Sequence, residues 1–379
     1  MKNIVVVGGG YAGVAAAQGL ESQVGSQYRI LLVEKKTHFY NPVAGARASV
    51  EEVPIFVPYD RCFKQSKNKV IHATAERLEP HTLHLSSPFE GSTELAFEYL
   101  VLATGTRYPA PSRVQSLDLA GGQAELAKLR QNIREAKRIV VVGAGPVGIE
   151  LVGEIVENYP EKRVTVIHNN QHILDDTFPV ASRTKFTNRM IQKNKVDVLL
   201  NETVLTDGLE PGKLGSYTVS TKSGKSVECD LVLLAFGNRP DSDWLKDTPL
   251  LSKNGCVRVN KETLQVNEKG WEHVFALGDV ADLGETKLAF RIKQHTPVLV
   301  GNLVRATENK PLDKKYKKGP DVMLVTFGKN GGIGQLPFVG TVGDWVARTL
   351  KSKTVFAHLP WETLHQTMPK QPKKASSSR

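Results

Sequence analysis

Two apolar runs that break into glycines set the layout of this chain. Ile4-Val-Val-Val-Gly8-Gly-Gly10-Tyr11-Ala12-Gly13 recurs as Ile139-Val-Val-Val-Gly143-Ala-Gly145-Pro146-Val147-Gly148, with seven of ten positions identical. Each β-branched run predicts a buried strand, and the Ala-rich stretch Val14–Leu20 predicts a helix after the first. Tyr28–Glu34 reads as the next strand of the first unit, and Arg138–Val142 and Arg163–His168 as strands of the second. A shorter repeat follows each fingerprint by about 90–100 residues: Tyr99-Leu-Val-Leu-Ala103-Thr104-Gly105 and Asp230-Leu-Val-Leu-Leu-Ala-Phe-Gly237. Val274-Phe-Ala-Leu-Gly278-Asp279 predicts a further strand, and a helix from about Lys287 to Thr307 returns to the first unit. Lys314–Pro320, rich in lysine and closed by Gly-Pro, reads as an exposed linker into a smaller third region.

The predicted class is α/β, with two Rossmann-like dinucleotide-binding domains and a small C-terminal α+β domain. Residues 1–108 with 242–315 form the first, 109–241 the second and 316–379 the third. In each fingerprint the first glycine permits the tight turn, the second admits a phosphate, and the third lets helix and strand pack closely. The free N–H groups at the helix start then face a pyrophosphate. Glu34 ends the second strand of its unit, where a carboxylate can accept hydrogen bonds from ribose hydroxyls. The equivalent end of the second unit reads His168-Asn169-Asn170, which neither repels nor demands a 2′-phosphate. Use of both NADH and NADPH is therefore expected.

Composition narrows the class only a little. At 379 residues, 40% hydrophobic and 23% charged, the chain reads as a soluble globular protein. No apolar stretch approaches the roughly 18 residues of a transmembrane helix, and the glycine fingerprint accounts for the apolar start better than a signal peptide does. Three widely spaced cysteines, Cys62, Cys229 and Cys256, exclude dithiol chemistry and fit a reducing compartment. No metal-ligand cluster and no Ser-His-Asp set is visible. Of the net charge of +11, +9 lies between Lys310 and Arg379, where 13 Lys/Arg face 4 Asp/Glu. Trp345, Leu350, Phe356, Leu359, Trp361, Leu364 and Met368 are interleaved with those cations. Trp361, Leu364 and Met368 fall on one helical face. Such a basic, aromatic-bearing segment suits an anionic membrane surface.

Gly8-x-Gly10-x-x-Gly13, Ala103-Thr104-Gly105, Gly143-x-Gly145-x-x-Gly148 and Gly278-Asp279 resemble, in order, the motifs of two-dinucleotide-binding-domain flavoproteins. Val43–Val50, Val164–His168, Gly278–Asp282 with Lys287, Gly331–Gln335 and the segment Leu350–Leu364 sharpen the match. The chain resembles the ferroptosis-suppressor group of apoptosis-inducing-factor-like flavoproteins, akin to type II NADH dehydrogenases. That resemblance implies non-covalent FAD in the first unit and NADH or NADPH in the second, with hydride passing to the flavin and electrons onward to a quinone. It implies that Asp279 contacts the ribityl and phosphate region of FAD, with Arg47 beside the same cofactor and the backbone of Ala73 at the adenine. It places Lys287 near the isoalloxazine, Glu150 facing nicotinamide and flavin, and Phe356 at the quinone pocket.

The activity this resemblance implies is an FAD-dependent NAD(P)H:quinone oxidoreductase that limits lipid peroxidation. Two readings stay open beside it: a redox effector binding DNA without sequence preference, which the basic tail permits, and a respiratory type II NADH dehydrogenase. Lys2 stands where an N-myristoylation signal requires glycine, and no transit-like presequence is visible. The expected location is therefore cytoplasmic and peripheral to a membrane, not secreted, through a C-terminal contact that is reversible and salt-sensitive. Homodimerisation is left open, and the terminal Ser-Ser-Arg is discounted as a peroxisomal signal.

Overall fold

The computed structural model describes residues 1–370; the terminal Ser-Ser-Arg and three of the cations counted in the basic tail, Lys373, Lys374 and Arg379, lie outside the described residues. Five parallel strands form the first sheet, in the order Val274–Ala276, Tyr99–Leu102, Lys2–Val7, Tyr28–Glu34, Lys69–His72. The middles of the central strands are apolar because helices cover both faces of such a sheet. Ile4, Val5 and Val6 are fully buried, as are Ile30, Leu31 and Leu32. Helix Tyr11–Glu21 packs on helix Ala289–Thr307, which returns from the far end of the chain as expected.

The second sheet repeats the plan in the order Asp197–Leu199, Arg163–Ile167, Arg138–Val142, Ser226–Leu234, with Leu214–Ser220 added antiparallel at the edge. The two chain crossings between these domains lie side by side. Thr106–Arg107 pairs antiparallel with Arg239–Pro240, and Asp241 binds both Lys35 and Arg107 at 2.6 Å.

The C-terminal domain is a three-stranded antiparallel sheet, Met323–Phe327, Gly331–Leu336 and Gly340–Val342, followed by short helices. Met323, Val325 and Phe327 enter the second domain's core, which also takes in Tyr40, Ala44, Ala48 and Ile55 from the first. The stretch 314–320 is a strap and not a free linker. Tyr316 is buried and its N–H bonds the Glu262 carbonyl, while Asn302 holds Lys314 on both sides. Trp361 and Leu364 depart from the expected membrane face: both are buried in the first domain's core, and the Trp361 indole donates to the Pro54 carbonyl. No helix of the described residues is long and apolar enough to cross a membrane.

Candidate functional site

The glycine turns have the geometry their spacing predicts. Gly8 and Gly143 both sit at φ +104°, in the region that favours glycine. A Cβ on Gly13 would lie 1.7 Å from the Gly8 carbonyl oxygen, and one on Gly148 1.9 Å from that of Gly143. Strand and helix therefore touch only because these positions lack side chains. Gly10 and Gly145 differ: a Cβ there would meet nothing within 4 Å. That open space faces the starts of helices Tyr11–Glu21 and Pro146–Asn158, neither of which has a side-chain cap. Uncapped N–H groups beside an open cradle fit a phosphate.

Around the first turn lies a cavity. It is lined by Gly10, Tyr11 and Ala12, by Glu34, by Ala103, Thr104 and Gly105, and by Asp279. Sequence reasoning thus brings together most of the residues it expected. Glu34 is held by the N–H groups of Gly9 and Lys36. The Thr104 hydroxyl is buried without a hydrogen-bond partner, an unmet group that a ligand in the cavity would satisfy. Arg113 also lines this cavity, a position that no motif in the sequence marks. Burial holds its guanidinium below the ordinary arginine range, opposed first by Asp279. It forms no ion pair among the described residues, and a cation so placed suits a pyrophosphate.

The second turn repeats one contact with a different chemistry. Where Gly9 donates to Glu34, Ala144 N–H donates to Nδ1 of His168 at 3.2 Å. The imidazole is buried, and burial lowers its pKa, so it is neutral with its proton on Nε2. That Nε2 has no partner. Asn169 and Gly237 are exposed nearby in the sequence of the site, and Pro146 and Val147 are half-buried at the helix start. Glu150, one turn into the helix, accepts the Thr326 N–H at 3.1 Å and the Lys351 ammonium at 2.6 Å. Lys351, from the C-terminal domain, is a second residue that sequence reasoning missed.

Four expected positions fall elsewhere. Arg47 does not line the cavity at the first turn: its guanidinium is buried, bonding Glu154 at 2.6 Å and the Ser352 carbonyl at 2.8 Å. Lys287 is exposed, its ammonium turned to the Ala281 carbonyl at 2.8 Å and 3.9 Å from the Cys256 sulfur. Ala73 is buried at the sheet end, its N–H bonded to the Glu34 carbonyl, and does not line the cavity. Phe356 is half-buried in a turn at φ +53°, outside the same lining. The three cysteines are buried and unpaired, as their spacing implied.

Comparison with known proteins agrees with this geometry. The pyridine nucleotide-disulphide oxidoreductase family matches residues 2–302. Ferroptosis suppressor protein 1 of Homo sapiens is 32% identical over 379 residues, covering 97% of this chain and 97% of that protein. Apoptosis-inducing factor homolog B of Dictyostelium discoideum is 28% identical, covering 94% and 95%. Among solved structures, the sulfide:quinone oxidoreductase of Aquifex aeolicus superposes with a TM-score of 0.74 at 18% identity, covering 96% of this chain and 92% of that one. The water-forming NADH oxidase of Lactobacillus brevis gives 0.67 at 20% identity, covering 88% and 75%.

Proposed function

The chain belongs to the pyridine nucleotide-disulphide oxidoreductase family, in the group of ferroptosis suppressor protein 1 and the apoptosis-inducing factor homologs, and from that premise we propose that it is an NAD(P)H:quinone oxidoreductase acting at a membrane surface. It is an FAD-dependent NAD(P)H oxidoreductase; the proposal concerns the acceptor and where it is met. FAD, when bound, supplies a carrier that takes two electrons from the nicotinamide and releases them to the acceptor. The chain itself holds the two dinucleotides at Gly10 and Gly145, offers Arg113 to phosphate, and sets the Glu150–Lys351 pair between the nucleotide and C-terminal domains. A membrane quinol made this way would limit lipid peroxidation.

One observation carries the reading. The domain that reaches Glu150 with Lys351 also turns apolar side chains outward: Phe338 is 106% exposed, Trp345 79% and Val339 68%. Phe338 and Val339, adjacent between strands Gly331–Leu336 and Gly340–Val342, and Trp345 on the helix that follows would suit insertion at a membrane surface, and the buried, separate cysteines leave no dithiol to relay electrons.

Anaerobic bleaching of the flavin by NADH, followed by turnover with a soluble quinone, tests the acceptor. Fast bleaching and quinone-stimulated turnover are expected; bleaching without stimulation would overturn the quinone reading. Flotation with anionic liposomes tests the surface. Phe338→Ser with Trp345→Ser should abolish binding, and undiminished flotation would remove this tip from the membrane contact.

A further inference from the structure

Excess positive charge is not confined to the C-terminal region. From Thr177 to Val196 the sequence holds five cations, Arg183, Lys185, Arg189, Lys193 and Lys195, and no Asp or Glu. Most of this stretch is helix Val180–Asn194 of the second domain, closed by Lys195 as its left-handed cap. Arg183, Phe186, Thr187 and Met190 form its buried side. Ala181, Lys185, Asn188, Gln192 and Lys193 are exposed on its outward side, and Val180 and Ile191 are half-exposed along one edge.

Two contacts fix where this helix lies. The Ser182 hydroxyl donates to that of Thr341 at 3.0 Å, and the Arg189 guanidinium pairs with Asp344 at 2.7 Å. Arg189 also covers the Phe186 ring, its guanidinium carbon 4.3 Å from the centroid. Thr341 closely follows the exposed Phe338 and Val339, and Asp344 directly precedes the exposed Trp345. The helix thus runs alongside the segment that bears the apolar tip. Lys185 and Lys193 stand four residues before and after Arg189, so they share the flank of the helix that meets this segment.

Arg189 is neutralised by Asp344, whereas neither lysine forms an ion pair among the described residues. Helix stability does not account for the pattern. The helix dipole favours a cation at Lys193, in the last turn, but not at Lys185. Four residues either side of Lys185 stand Ala181 and Arg189, so no carboxylate supports it. The carboxylates near the tip are engaged: Asp176 and Asp321, which line the groove beside Phe338, pair with Arg183 and Arg291. Arg348 and Lys353, on the tip's own domain, are exposed as well. An apolar tip therefore adjoins a cationic flank that no described carboxylate neutralises.

We propose that helix Val180–Asn194 is a docking element for anionic phospholipid, its lysines taking headgroups while Phe338, Val339 and Trp345 enter the bilayer. This rests on the membrane-surface reading above and makes the second domain, not only the C-terminal one, a party to the contact. Apolar insertion and headgroup attraction act together at an interface. Each lysine held near an anionic leaflet strengthens partitioning about fivefold, an effect that salt screens. Duplex nucleic acid would also meet the lysines, but it has nothing to offer the apolar tip beside them.

Co-sedimentation of the FAD-loaded full chain with vesicles tests this, using phosphatidylcholine alone and phosphatidylcholine with about one-third phosphatidylserine. Lys185→Gln with Lys193→Gln should lower partitioning onto the anionic vesicles about 25-fold at physiological salt, and by more at lower salt. Partitioning onto the neutral vesicles should not change. Lys246→Gln with Lys269→Gln removes the same charge from the exposed surface of the first domain and should cost less than about fivefold. Thermal unfolding and turnover with a soluble quinone should match wild type in both variants. Anionic-vesicle affinity kept in the helix variant, or lost equally in the first-domain variant, would overturn the role of the helix and leave that of the tip standing. Duplex DNA binding that falls in the helix variant while vesicle binding does not would assign the flank to nucleic acid and overturn lipid docking. A wild-type protein that binds neither vesicle would overturn the membrane-surface reading, and the docking helix with it.

Discussion

Replacing His168 by glutamate would turn the second dinucleotide site into a copy of the first. A carboxylate at this position can accept the Ala144 N–H that Nδ1 accepts now, as Glu34 accepts that of Gly9. The change falls on the other polar atom, where the buried Nε2–H donor becomes a negatively charged acceptor. Toward NADH this exchanges one hydrogen bond for a charge-assisted one, so affinity should hold or improve by about 1 kcal/mol. Toward NADPH it sets a carboxylate against a phosphate. At a separation of about 4 Å and an effective dielectric constant of about 20, one such charge pair costs about 4 kcal/mol. That corresponds to roughly a thousandfold loss in kcat/KM.

The assay is steady-state kcat/KM for both nicotinamides with one soluble quinone, with His168→Gln as the uncharged control. The control should shift neither cofactor more than about tenfold. Thermal unfolding of both variants separates recognition from folding, because the new carboxylate occupies a buried position. A fall for NADPH of less than about tenfold in folded His168→Glu would refute the placement of this imidazole at the ribose.

Three further outcomes follow from the same geometry. Gly145→Ala should leave unfolding within about 0.5 kcal/mol of wild type yet raise the KM for NADH at least tenfold, since its new methyl enters open space; Gly148→Ala, whose methyl would meet the Gly143 carbonyl, should fail in urea unfolding first. Arg47→Met strands the buried Glu154 carboxylate and should cost about 3–5 kcal/mol in chemical denaturation, whereas Arg47→Met with Glu154→Leu should recover most of it; a single variant that keeps its stability but loses FAD would return Arg47 to the cofactor. Burial, with Lys36 beside it, pushes the buried His38 down to about 4 from 6.5. The unfolded chain then binds more protons across that interval, so stability is complete above about pH 6.5 and is lost as pH falls toward 4. A Tm series over that range should steepen in wild type and flatten in His38→Gln.

Local signals were legible in the sequence, and long-range ones were not. The fingerprints, Ala103-Thr104-Gly105 and Gly278-Asp279 are short and read directly as turns, because backbone geometry alone fixes which residues can stand there. Arg113 carries no such signal: it becomes a cavity cation only when the loop after Thr106–Arg107 brings it toward Asp279. Lys351 meets Glu150 across 201 positions of chain, and its neighbours Lys353 and Arg348 look no different in the sequence. Lys287 was drawn to the flavin by its place after Gly278-Asp279, but the loop turns its ammonium back to Ala281. Helical spacing did put Trp361 and Leu364 on one face; it could not tell that this face meets the first domain's core and not a membrane.

The Arg47 guanidinium belongs to the first domain, bonds Glu154 of the second, and bonds the Ser352 carbonyl of the third. Its loss of solvent is repaid only while all three surfaces stay assembled. Opening any one boundary exposes a buried charge at the other, so each domain's melting raises the cost of keeping the rest folded. The domains distinguished by topology are thereby tied into one cooperative unit, and partial unfolding to a two-domain remnant is disfavoured at a single side chain.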